Sequence, residues 1–242
     1  MVKRCDAILG ESAGLGRRGH RINLVDVLSK EFEPRKFNGS WVSDDQLVFR
    51  NKDGHLILYS IRMKSSEVLL HNSVFKENHS VKYSISTDLK YVLLFYDITQ
   101  IYKYSFEARY IIYEIESGIS YPLWPLNKPG EKIRYAAWGP KGNQMVYVYQ
   151  NNIYYIAKVN GTHYAVTKNG VEGVVFNGIP DWLYEEEILK SNSALWWSPD
   201  GNQICFATFN DTNTGIYYYN WYGSHNDTTN VLAQLKSMRY PK

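Results

Sequence analysis

The sequence predicts an all-β protein, a partial β-propeller of about four blades of four antiparallel strands, interrupted by one short acidic helix. Three observations lead there. Tyrosine occupies 21 of 242 positions and clusters with Val, Ile and Phe in short runs, a composition that suits half-buried strands. A unit made of an aromatic residue, a polar turn and a β-rich run recurs along the chain. Further strand-like segments lie between these units, so each period holds about four short strands, the signature of propeller blades.

In chain order, Trp41-Val-Ser-Asp-Asp precedes Gln46-Leu-Val-Phe, and Tyr83-Ser-Ile-Ser-Thr-Asp precedes Tyr91-Val-Leu-Leu-Phe-Tyr. Trp138-Gly-Pro-Lys-Gly then precedes Met145-Val-Tyr-Val-Tyr, and Trp197-Ser-Pro-Asp-Gly precedes Ile204-Cys-Phe-Ala. The intervening strands fall at His55 to Ile61, Tyr110 to Glu116 and Ile153 to Lys158. Because Trp41, Trp138, Trp196 and Trp197 recur at equivalent points, they are expected to pack between blades and not to stack on a ligand.

Composition narrows the function classes. A hydrophobic fraction of 44% and a net charge of +3 describe an ordinary soluble globular chain. Lys and Arg are scattered among acids, so no nucleic acid partner is expected. Residues 1–20 read as a disordered tail with no apolar run of signal-peptide or membrane-spanning length. Cys5 lies in that tail, and Cys205 sits in the apolar strand Ile204 to Phe209, where a buried free thiol is expected. The six histidines lack helical metal spacing and cysteine partners, so neither a metal nor a cofactor is called for. Asn38, Asn78, Asn160, Asn210 and Asn226 open N-x-[ST] sequons, candidate glycosylation sites that favour a secretory parent protein. The only G-x-S-x-G match, Gly10-Glu-Ser-Ala-Gly14, lies in the tail and not at the strand-to-helix turn of a hydrolase domain that a nucleophile elbow needs. No catalytic residue is therefore assigned, and the chain alone is expected to lack peptidase activity.

The stretch from Asn177 to Asn213 carries the chemistry. Pro180 and Asp181 make a helix entry, with proline fixing φ and aspartate able to accept a free backbone N–H. Glu185, Glu186 and Glu187 follow in the first turns, where the helix dipole favours acids. Two neighbouring glutamates can converge on one cation while the third, Glu185, faces outward. On composition alone, a solvated, dipole-compatible charge run is the favoured reading.

Asp181-Trp-Leu-Tyr-Glu-Glu-Glu187, Ala194-Leu-Trp-Trp-Ser-Pro-Asp-Gly201 and Phe209-Asn-Asp-Thr212 together resemble the dipeptidyl peptidase IV subfamily of the prolyl oligopeptidase family. The resemblance runs from about Arg21 to the final Arg239-Tyr-Pro-Lys, with Arg21 to Phe32 matching the start of the family's extracellular part. It implies that residues 21–242 are the N-terminal half of a propeller. The remaining C-terminal blades and the catalytic α/β-hydrolase domain are then absent partners, and unpaired sheet edges would promote aggregation. It also implies a serine exopeptidase parent that releases N-terminal dipeptides. Glu186 and Glu187 would hold the α-ammonium of peptide substrate N-termini. Relatives place an arginine against the substrate carbonyl in a W-R-[HY]-S-[YF] segment, and Lys103 of Tyr102-Lys-Tyr-Ser-Phe106 stands there, keeping the charge without the planar fork. Relatives that became non-catalytic auxiliary subunits of potassium channels depart at the same position, and they supply the alternative reading. The parent is expected to be a homodimer, either secreted or a type II plasma-membrane protein.

Overall fold

The computed structural model describes residues 22–29, 37–223 and 233–240. The chain divides into two units, residues 1–38 and 39–242. In the first, helix α1 (Leu24–Leu28) is closed by a capping box. Asp26 N–H donates to Asn23 Oδ1 at 3.0 Å, and Asn23 N–H donates to Asp26 Oδ2 at 2.9 Å.

The second unit is mostly strand. β1 (Ser40–Trp41), β2 (Gln46–Arg50), β3 (Leu56–Ser60) and β4 (Ser65–Leu70) form one antiparallel meander. After helix α2 (Asn72–Glu77), β5 (Lys82–Ile85), β6 (Tyr91–Gln100), β7 (Phe106–Glu114) and β8 (Ser120–Leu123) form a second. β9 (Tyr135–Trp138), β10 (Met145–Tyr149), β11 (Asn152–Ile156) and β12 (His163–Ala165) form a third. The expected fourth four-stranded blade is absent among the described residues. In its place are three strand pairs: β13 (Val175–Asn177) with β16 (Thr208–Asn210), β14 (Leu195–Trp197) with β15 (Ile204–Phe206), and β17 (Ile216–Trp221) with β18 (Gln234–Arg239). The reason is a partner change at Ala207. Its N–H donates back to Ala194 O at 2.9 Å, but its carbonyl accepts from Gly178 N–H at 3.0 Å, so one extended run serves two sheets.

Successive sheets share cores, which explains why the central strands read as unbroken apolar runs. Side chains alternate across a strand. In β6, Val92 and Leu94 join Val48, Leu56, Leu70 and Phe75 of the first sheet region, while Leu93 turns to the opposite side with Tyr110, Ile112 and Met145. In β10, Met145, Tyr147 and Tyr149 face the second sheet, and Val146 and Val148 face Phe176, Ile179 and Leu195. Every residue of β10 is buried. Each such side chain contributes about 1.5 to 3 kcal/mol by leaving water.

The repeat tryptophans divide. Trp138 donates its indole N–H to Ser84 O at 3.1 Å across sheets, and Trp197 packs on Tyr155 with ring centroids 6.1 Å apart. Trp41 and Trp196 instead remain 63% and 50% exposed, against the expectation of packing between blades. Trp41 lies in a two-residue strand, and Trp196 lies between Leu195 and Trp197, on the outward face. Cys205 pairs with Trp196 across that face and is exposed, so the expected buried thiol is corrected by the same alternation. Residues 182–189 form a helix as expected. It is not the only one, because α1 and α2 are comparably short. Cys5 and the tail 1–20 lie outside the described residues.

The polar turns of the repeats also touch one another. Thr87 Oγ1 donates to Gly139 O at 2.7 Å, Asn143 Nδ2 to Asp88 Oδ2 at 3.0 Å, and Gln144 Nε2 to Gly201 O at 3.3 Å. Gly142 and Gly201 occupy matching turns at φ +59° and +69°. A Cβ at Gly142 would meet nothing within 4 Å, whereas one at Gly201 would lie 2.4 Å from Gln144 Nε2. Gly142→Ala is therefore expected to cost about 1 kcal/mol of backbone strain, and Gly201→Ala about 1 kcal/mol more through the displaced Gln144 bond. Thermal melts of the two variants should rank them in that order.

Candidate functional site

Three sequence-distant pieces meet at the acidic helix. The first is its approach. Asn177 is 1% exposed, and its side chain donates to Asn151 O and Asn169 Oδ1 at 3.0 Å while accepting from Thr208 Oγ1 at 2.8 Å. This ties the strand leading into the helix to its neighbours. Asp181 then caps the helix as its sequence position predicts, accepting Tyr184 N–H at 2.8 Å. Burial pushes the Asp181 carboxyl above its usual range, opposed by the amides of Tyr184 and Leu183.

The second piece is the helix itself, wound wide as a π-helix over Tyr184–Leu189 and ended by Lys190 in the left-handed region. Such segments are rare and recur at functional sites. The third piece is the loop joining β6 to β7. A register shift between Tyr96 and Thr99 bends this hairpin, with Asp97 at φ +49° held by Arg109 and Lys132, each at 3.1 Å. At its tip the N–H groups of Ile101 and Tyr102 both donate to Ser105 O, at 3.0 and 3.3 Å. Those of Lys103, Tyr104 and Ser105 need acceptors elsewhere.

The helix supplies them. Glu185 Oε1 accepts from Tyr104 N–H and Ser105 N–H, both at 2.8 Å, and Glu186 Oε1 accepts from Lys103 N–H at 2.9 Å. Glu185 is fully buried. The expectation that it faces outward is thus reversed, because the loop's amides demand a carboxylate and the wide turn delivers one. Glu187 is the exposed member, without a partner among the described residues, and Glu186 is half-buried with Oε2 unengaged. Lys103 is exposed, and its ammonium lies over the Tyr104 ring at 5.3 Å. Glu186, Glu187 and Lys103 are therefore brought to one place, with the lysine charge turned to an aromatic face.

The model of the family described as dipeptidyl peptidase IV (DPP IV) N-terminal region matches residues 86–242, which include all of these elements. The chain belongs to that family. Inactive dipeptidyl peptidase 10 of Rattus norvegicus is 42% identical over 195 residues, covering 79% of this chain and 24% of that protein. Prolyl endopeptidase FAP of Mus musculus is 35% identical over 208 residues, covering 86% and 27%. The crystal structure of Porphyromonas gingivalis dipeptidyl peptidase 4 superposes with a TM-score of 0.76 at 21% identity, covering 93% of this chain and 32% of that one. It supports the partial propeller as the fold. The chain thus spans about a quarter of the length of the curated relatives it matches. The DPP IV N-terminal family includes members named as peptidases and one named as inactive.

Sequence reading named Glu186, Glu187 and Lys103 and expected Glu185, the carboxylate that ties the helix to the loop, to face outward. The available signal was the run of three consecutive acids, Glu185 to Glu187. Among the sequons, Asn38, Asn160 and Asn210 are exposed. Asn78 ends α2 with its amide nitrogen donating to Val74 O at 2.8 Å, and Asn226 lies outside the described residues. No cluster of three or more metal-ligating side chains occurs among the described residues, and no described helix is long and apolar enough to cross a membrane.

Glu185→Gln keeps the Oε1 acceptor but makes it neutral and puts an unpartnered amide nitrogen at the Oε2 position, so it should cost less than Glu185→Ala but not nothing. Glu185→Ala orphans two amides at a buried position and should cost about 2 to 6 kcal/mol, at 1 to 3 per group. Denaturant unfolding of both variants checks this.

Proposed function

We propose that this chain is the N-terminus-recognition region of a DPP IV-like serine exopeptidase, in which Glu186 and Glu187 hold a peptide's free α-ammonium while a catalytic domain releases the first two residues. One observation supports it above the rest. The carboxylates of Glu186 and Glu187 sit on a helix clamped to the Lys103 loop, with charge available and a fixed backbone behind it.

The chemistry follows from the geometry. A free α-amino group titrates near 7.7 to 8.0, and two adjacent carboxylates raise that value and keep the ammonium charged. The Lys103 amide fixes Glu186 by one oxygen, leaving the other for the ligand. Fixing the N-terminus at a set distance from a nucleophile admits two residues and no more, and it turns binding energy into alignment of the scissile bond. Lys103 serves as a point charge near the substrate carbonyl.

Lys103 also favours a second reading, a non-catalytic binding subunit of a membrane protein that captures N-termini without cutting. Its ammonium rests on Tyr104 and not beside the glutamates, and a relative of 42% identity is named inactive. Under either reading the parent is proposed to be secreted or a type II membrane glycoprotein that forms homodimers.

The test is a set of single substitutions in the full-length protein, assayed with an X-Pro chromogenic dipeptide. Glu186→Gln and Glu187→Gln should each lower kcat/KM about 10- to 150-fold, equivalent to 1.5 to 3 kcal/mol for a lost charge-assisted bond. Full activity in both variants contradicts the assignment. No hydrolysis by the unmodified protein, with peptide capture that both substitutions abolish, establishes the second reading.

A further inference from the structure

We propose that a cleft beside the acidic helix, lined by Tyr102, Phe176, Trp182 and the Asp211 carboxylate, is a separate cation site that takes the ammonium of a lysine side chain. Its volume is about 330 Å³, within the size of ligand pockets generally. Tyr102 comes from the β6–β7 loop, Phe176 from β13 and Trp182 from the start of the helix. β18 closes the other side with Met238 and Arg239.

The lining specifies a cation. Asp211 is only 6% exposed and stands alone as the carboxylate of the described lining. It receives a hydrogen bond from Thr214, and burial followed by the neighbouring Asp181 charge pushes its pKa up. Arg239 opposes this shift only in part. Its guanidinium donates to Thr212 O and Thr214 O at 3.3 and 3.0 Å, and no ion pair joins it to Asp211 among the described residues. Arg134, the other cation acting on Tyr102, is turned to Glu172 at 3.4 Å. Glu185 and Asp181 add negative potential at Tyr102. Aromatic faces attract cations when water is excluded, and the apolar walls fit the methylene stem of a lysine. Trp182 is held for this by Tyr240, with centroids 5.0 Å apart.

The probe is Nα-acetyl-lysine N-methylamide, which carries a side-chain ammonium and no free α-amine. It is titrated into the full-length protein by calorimetry, with the matching norleucine amide as the neutral control. The lysine probe should bind at least about tenfold more tightly than the norleucine probe, the effect of one cation–π contact plus one charge. Asp211→Asn should remove that preference, Trp182→Leu should weaken it several-fold, and Glu187→Gln should leave it intact. Equal binding of the two probes by the unmodified protein overturns the proposal and needs no variant to fold. So does a lysine preference that survives Asp211→Asn but disappears in Glu187→Gln, which would assign the ammonium to the acidic helix.

Discussion

One buried carboxylate sets the geometry of this region. Glu185 reaches 80 residues back along the chain to accept two backbone amides from the tip of the β6–β7 hairpin, both at 2.8 Å. A tight loop cannot satisfy those amides itself, and a charged acceptor makes shorter, stronger bonds than a neutral one. The cost is a desolvated anion whose Oε2 has no partner among the described residues. Once that bond pair forms, the Lys103 amide falls to Glu186, and the exposed Glu187 and Lys103 side chains are left on the outer side of the same junction.

The sheets make this junction possible by fixing both of its halves independently. The hairpin grows from a sheet buried on two faces by the shared cores around Leu93 and Leu94. The helix is fed by Asn177 and Gly178. Gly178 sits at φ +71° where a Cβ would come 2.9 Å from Ile153 Cδ1, so the chain can enter the helix closely against sheet three. The partner change at Ala207 locks the same entrance from the other side. The acidic helix therefore needs little intrinsic stability of its own, consistent with a short π-helical segment that propensity alone would not sustain.

Much of this was legible from residues. The Trp138-Gly-Pro-Lys-Gly and Trp197-Ser-Pro-Asp-Gly units marked real turns because proline and glycine dictate backbone angles locally, and Asp181 announced its cap for the same reason. What failed depends on long-range partners. Glu185 looked like surface charge because its acceptor role is set by amides 80 positions away. Cys205 and Trp196 looked like core because an apolar run does not say which face of a strand meets a neighbour. The fourth blade was drawn as a repeat of the first three because the sequence continues its rhythm, while the strand at Ala207 changes partner.

Amide hydrogen exchange of the β6–β7 loop tests the central claim most directly. An exposed hairpin tip ordinarily exchanges through trivial local fluctuations. If Glu185 holds this one, Tyr104 and Ser105 should exchange as slowly as the flanking strand residues Leu94 and Tyr110 in the unmodified protein, and at loop rates in Glu185→Ala, with Leu94 and Tyr110 still protected. Rapid exchange of Tyr104 and Ser105 in the unmodified protein would contradict the account.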